Sequence, residues 1–229
     1  MPSVTAQTIY TANSKLIVIG AGHQARGNYQ KEPIGPGAKQ TKPKVTGGTR
    51  GRKSGLNEYE LTLMISQKLQ KELETRGYKV IMVRTTHKVN ISNSERAAVA
   101  NKANADAFIR VHANGSENLN VNGGAMTICQ TPKNPYNANL YPKSKALSKA
   151  VLDELVAKAG CKKQYVWETD TMSGINWCKV PTTIVEVGYM SNPTEDAKLA
   201  TEEYQIKIAK GIANGIDRYF NEQSNIGDK

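Results

Sequence analysis

No stretch of this 229-residue chain approaches the ~20 consecutive apolar residues that a membrane-spanning helix needs, which excludes a span within it. The opening MPSVTAQTIYTANSK has neither the basic start nor the apolar core of a secretion signal. Cysteine is scarce. Cys129, Cys161 and Cys178 form no C-x-x-C pair, so a cysteine-built zinc site has no support. One disulfide with a spare thiol, or three thiols, both remain open. There is no H-E-x-x-H, which removes the ordinary zincin peptidases. No internal repeat and no second core are visible, so the chain reads as one domain.

Acid is short relative to base: 20 Asp and Glu against 31 Lys and Arg, for a net charge of +11. Such an excess favours an anionic partner, whether nucleic acid, membrane surface or acidic polymer. Most of it sits between Gln24 and Gly55, in Arg26, Lys31, Lys39, Lys42, Lys44, Arg50, Arg52 and Lys53 against Glu32 alone. That stretch is rich in Gly and Pro and lacks periodicity, which predicts a long functional or disordered loop. It holds one aromatic, Tyr29, and no zinc-finger or RNA-recognition motif, which argues against nucleic acid.

At 38% the hydrophobic content supports a real core. KLIVI at 15–19 predicts a buried strand running into Gly20-Ala-Gly22. Leu61, Ile65, Leu69 and Leu73 mark one face of a helix from Leu56 to Arg76, with Gly77 as its cap. A strand follows at 79–83. Ser92 and Glu95 have capping-box spacing and open an alanine-rich helix to about 103. Strands are predicted at 107–111 and 182–187, with an apolar run, AMTIC, between them. Further helices run through 146–156, from Asn192-Pro193, and over 204–220. The polar tail from 221 is expected to fray. Strands alternating with helices predict an α/β fold: a twisted, mostly parallel sheet with helices on both faces. The resulting division is an N-terminal extension (1–14), a catalytic domain (15–220) carrying the basic loop 24–55, and a tail (221–229).

In such a sheet, ligands gather at the carboxyl ends of strands. His23 lies past the first strand, and His112 ends the strand ADAFIRVH. Glu186 sits between Val185 and Val187, where a carboxylate without a partner costs several kcal/mol. Glu58 falls in the first turn of the helix that begins near Leu56, beside its buried stripe, with Glu60 as the neighbouring alternative. Two histidines and one carboxylate suit a catalytic zinc site, and a second, unligated carboxylate suits a general base. The chain offers His23, Glu58 and His112 as ligands and Glu186 as base. The remaining histidine, His87, lies in polar TTHKVN and is expected to be solvated.

These stretches resemble zinc-dependent N-acetylmuramoyl-L-alanine amidases of the amidase type 3 family. The resemblance runs through IGAGH, GLNEYELTLMIS, SNSERAAVANKANADAFIRVHAN, NGGAMTI and VPTTIVEVGYMSNPTEDAKL, over nearly all of 15–220. It implies one zinc ion on His23, Glu58 and His112, Glu186 as general base, and cleavage of the amide between N-acetylmuramic acid and L-Ala of the stem peptide. It also implies peptidoglycan, with anionic wall polymers, as partner, and an extracytoplasmic place with any signal already removed. Asn114, Gly188 and Arg110 are expected to contact substrate. The chain departs from the family pattern in three places: the long segment after His23, Arg110 where serine is usual, and His87 where an acid is common. Residues 24–55 are expected to border the substrate groove. A nucleic-acid binder, a zinc peptidase and a catalytically dead wall-binding module are the rival readings.

Overall fold

A computed structural model describes residues 15–118 and 123–227. The expected extension 1–14 and the end of the tail, 228–229, lie outside the described residues, as do 119–122.

Six strands form the main sheet: β1 (Leu16–Ala21), β4 (Lys79–Met82), β5 (Ala107–Asn114), β6 (Ala125–Cys129), β7 (Lys163–Glu168) and β8 (Thr182–Tyr189). Their order is β4-β1-β5-β8-β6-β7. Every neighbouring pair is parallel except β6 with β8, so the sheet is mixed but mostly parallel. Central strands buried on both faces need apolar residues at most positions, which LIVIGA provides in β1 and Ile184, Val185 and Val187 provide in β8 around Glu186.

One face of the sheet carries Ile17, Ile19, Ile109, Val111, Val185 and Val187. Against it pack α1 (Glu58–Thr75), α3 (Tyr141–Ala159) and α6 (Glu202–Gly227). The expected stripe Leu61, Ile65, Leu69 and Leu73 is fully buried there. The opposite face carries Val18 and Phe108 under α2 (Asn93–Lys102), and Ile128 and Ile184 under the short α4 (Ser173–Asn176). Helix ends follow local chemistry. Ser92 Oγ accepts from Glu95 N at 3.1 Å while Glu95 reaches back to Ser92 N at 2.7 Å. Gly160 closes α3 at φ 65°, and Asn192 caps α5 (Pro193–Leu199) by accepting from the amides of Thr194 and Glu195. All three cysteines are free.

Three expectations need correction. Residues 24–55 are not an unstructured loop, because β2 (Asn28–Pro33) and β3 (Thr41–Val45) pair as an antiparallel hairpin. Polar contacts rather than an apolar stripe hold it, which is why no periodicity marks it. Glu32 accepts from Ser94 Oγ at 2.6 Å, Asn93 Nδ2 donates to Lys44 O, and Trp177 Nε1 donates to Pro33 O. Second, β7 escaped notice because KQYVWE is a half-exposed edge strand, with Tyr165 and Trp167 facing outward. Third, α6 continues past 220 to Gly227, so the tail begins as helix.

Candidate active site

The site begins with strand register. His112 of β5 stands directly opposite Glu186 of β8, and Arg110 opposite Ile184, so Arg110, His112 and Glu186 share a face near the carboxyl end of the sheet. His112 fits there because its neighbour beyond β1 is Gly22. A Cβ at that glycine would lie 2.6 Å from the imidazole ring.

His23 follows as the chain leaves β1, at φ 56°, in the left-handed region that non-glycine residues seldom occupy. Two buried arginines hold that turn. Arg96 Nη1 donates to Ala21 O at 2.8 Å and its Nη2 to His23 O at 2.9 Å. Arg84 Nη2 donates to Gly22 O and to Tyr59 O, both at 2.8 Å, which ties the turn to the first turn of α1. Neither guanidinium makes a salt bridge to a carboxylate among the described residues. Burial therefore lowers Arg96 to about 9, with Arg110 and Arg84 adding repulsion, and lowers Arg84 to about 10. Sequence reading missed both arginines. The available signal was one arginine in an alanine-rich helix and another at the end of KVIMV.

Glu58 projects from the start of α1. Its Oε1 lies 3.0 Å from His23 Nε2 and 3.1 Å from His112 Nδ1, and it also accepts from Ala113 N. Its Oε2 accepts from Thr49 N at 2.9 Å. The expected ambiguity with Glu60 resolves on geometry: the Glu60 carboxylate turns back to Asn57 N at 2.8 Å as part of the helix cap. Gly48, at φ 80°, lets the chain pass close by, since a Cβ there would meet Glu58 Oε2 and the His23 ring.

The donor atoms of His23, Glu58 and His112 all lie within 4.8 Å of one another. The Nδ1 of His23 donates to Thr46 O at 2.9 Å, which turns Nε2 towards Glu58. Burial would raise the Glu58 carboxyl, but the His112 and His23 side chains set against it overcome this and hold it well below the usual carboxylate range. Burial drives His112 down to about 4, against its hydrogen bond to Glu58. A buried carboxylate facing two imidazoles is a donor set that fits a divalent cation such as zinc.

Glu186 stands apart from that trio. Its Oε2 is buried and has no hydrogen-bond partner, and so is His112 Nε2. Burial raises its carboxyl to about 8, with a further push from the charge of Glu58 and a counter-pull from Arg110. Two hollows share His23, Thr46, His112 and Glu186. One, of about 260 Å³, is walled by Lys42 to Thr46 of the hairpin side, by Thr171 to Gly174, and by Arg110. The other, of about 490 Å³, opens past Arg52, Glu58 and Asn114. Part of the basic segment therefore lines the site.

Of the other expected residues, Asn114 lines the second hollow and Arg110 the first. Gly188 does not line either hollow; a side chain there would meet Glu195 and Leu199. His87 is half-buried with its ring edge-on to Tyr59, and it lies outside the His–Glu–His group.

Sheet order, strand-end position and the paired carboxylates place the molecule among the α/β amide hydrolases. The chain belongs to the amidase type 3 family, N-acetylmuramoyl-L-alanine amidase, whose model matches residues 17–218. Its fold is similar to that of an N-acetylmuramoyl-L-alanine amidase from Clostridium difficile 630, with a TM-score of 0.74 at 25% identity over 92% of this chain and 98% of that one. The amidase Ami1 of Mycobacterium smegmatis matches with a TM-score of 0.80, also at 25% identity, over 91% and 97%. Among curated relatives, a putative amidase of Buchnera aphidicola is 28% identical over 73% of this chain and 88% of its own length. LytC of Bacillus subtilis is 28% identical, but the match spans only 32% of that longer protein.

Proposed function

We propose that the protein is a zinc-dependent peptidoglycan amidase that cleaves the bond between the lactyl group of N-acetylmuramic acid and L-Ala of the stem peptide. The observation that carries this reading is the convergence of His23 Nε2 and His112 Nδ1 on Glu58 Oε1, beside the unpartnered carboxyl of Glu186. Zinc bound there would supply a Lewis acid that polarises a carbonyl and lowers the pKa of water.

The protein's own groups perform the rest. Thr46 and Thr49 orient His23 and Glu58 through backbone atoms. Glu186 takes a proton from the attacking water and delivers it to the departing amine nitrogen of L-Ala. Burial holds the Glu186 carboxyl above the usual carboxylate range, which makes its carboxylate a stronger base. The basic wall of the site, with Lys42 and Arg52, favours an anionic polymer. Relatives named as cell-wall amidases, such as LytH of Staphylococcus aureus, support an extracytoplasmic or wall-associated place. No described helix is long and apolar enough to cross a membrane.

Mass spectrometry of purified peptidoglycan after digestion tests the reading. New L-Ala amino termini should appear with the native protein and be lost with Glu186→Gln. Cleavage between two amino acids of the stem instead would replace amidase with peptidase.

A further inference from the structure

Arg110 has an unusual setting in the site. It is 5% exposed, yet no carboxylate of the described residues pairs with it. Its Nη2 donates to Asn93 Oδ1 at 2.8 Å, its one hydrogen bond among the described residues. A guanidinium carries five N–H donors in a rigid fork, so most of its capacity is unused. The surroundings hold it in place: a Cβ on Gly174 would fall 2.1 Å from its Nη1. It lines the 260 Å³ hollow that also contains Glu186, with Lys42 on the facing hairpin and Met172 and Ile184 as apolar walls. A buried cation left without a counter-charge is expensive, and an anion that enters with the substrate removes that cost.

We propose that Arg110, with Asn93 beside it, receives a free carboxylate on the second residue of the stem peptide, so that the enzyme selects stems with an acid there over stems with a carboxamide. The inference rests on the amidase reading and deepens it. Length supports the choice of residue. Arg110 and His112 are two positions apart on one strand, a separation of ~6.8 Å. Arg110 and Glu186 line one hollow, and an extended dipeptide spans ~7 Å, so a peptide with its scissile bond at His112 and Glu186 passes Arg110 within about two residues. Lys42 is the less suited receptor, because its Nζ already donates to Thr171 O at 2.8 Å. The apolar walls accommodate the intervening side chain.

The test compares two soluble muramoyl tripeptides whose second residue, linked onward through its γ-carboxyl, is D-glutamate with a free α-carboxylate in one and D-isoglutamine in the other, so that they differ by one carboxylate. The native enzyme should prefer the acid in kcat/KM by about tenfold or more, the worth of a charge-assisted hydrogen bond. Arg110→Met should bring the ratio towards one, and Arg110→Lys should keep part of the preference. Removing an unpaired buried charge should leave folding intact, and bound metal measured on each variant verifies the site. Calorimetry with the dipeptide L-Ala-D-isoglutamate gives a second readout independent of turnover: binding to the native protein, and loss of that binding in Arg110→Met. Equal rates on both substrates, or equal slowing of both by Arg110→Met, would overturn the proposal while leaving the amidase reading standing. No cleavage of either substrate, with dipeptide binding still dependent on Arg110, would count against the amidase reading and for the carboxylate site.

Discussion

Glu186 and His112 are register partners on adjacent parallel strands, so the backbone of the sheet itself sets the proposed base beside a proposed ligand. Only Glu58 and His23 have to be brought in by other elements. The turn after β1 and the start of α1 do this, joined through Arg84.

Glu186→Gln should keep the metal and lose turnover. The substitution preserves shape and removes a general base, a loss of about 10²- to 10⁴-fold in kcat. Metal content measured alongside steady-state rates separates this from damage to the site.

Glu58→Gln should act in the opposite order, losing metal first and activity with it. It weakens a carboxylate that faces two imidazoles and accepts from two backbone amides. Titration with a chromophoric chelator should show zinc affinity falling by at least an order of magnitude. High zinc should partly restore activity.

The metal-free protein should lose stability as pH rises from about 6.5 to about 8. Glu186 has its folded pKa raised to about 8, so its favourable contribution is complete below its ordinary value near 4.5 and is lost as pH climbs through the folded value. His112 has its folded pKa lowered to about 4, so its contribution is lost only as pH falls below 6.5. Between 6.5 and 8 the Glu186 effect therefore stands alone of the two. Thermal unfolding in chelator across that window should show a falling Tm, and Glu186→Gln should flatten the slope.

Arg96→Lys should weaken metal binding although Arg96 touches no ligand side chain. A lysine cannot bridge Ala21 O and His23 O at once, so the left-handed turn at His23 loses one of its ties. Loss of such a supporting contact costs about 10- to 100-fold in metal affinity. Unchanged affinity with a lowered Tm would make Arg96 purely structural.

Glu32→Ala should lower stability by about 1–2 kcal/mol, because Glu32 accepts from Ser94 Oγ and N at the start of α2 and anchors the hairpin there. Chemical denaturation provides the measure.

The sheet and its helices were legible because their apolar periods are strong. Leu61 to Leu73 repeats every four residues, β1 is nearly all apolar, β8 has an apolar run broken by Glu186, and the Ser92, Gly160 and Asn192 caps sit where their chemistry places them. The hairpin was not legible, since Glu32, Asn93 and Trp177 hold it by contacts distant in sequence. The edge strand β7 was missed for want of a buried face. His23, Glu58, His112 and Glu186 could be picked out as ionisable groups at strand and helix ends, and the fold brings them to one place. Their supports, Thr46, Thr49, Arg84 and Arg96, act mostly through backbone atoms, which leave no mark on side-chain pattern.

Anomalous diffraction at the zinc absorption edge, on crystals grown with zinc, tests the central claim most directly. A single strong peak bonded to His23 Nε2, His112 Nδ1 and Glu58, with Glu186 nearby and unbonded, is the predicted result. Density free of any ion between those three side chains, or an ion bound to Glu186 instead of Glu58, would contradict it.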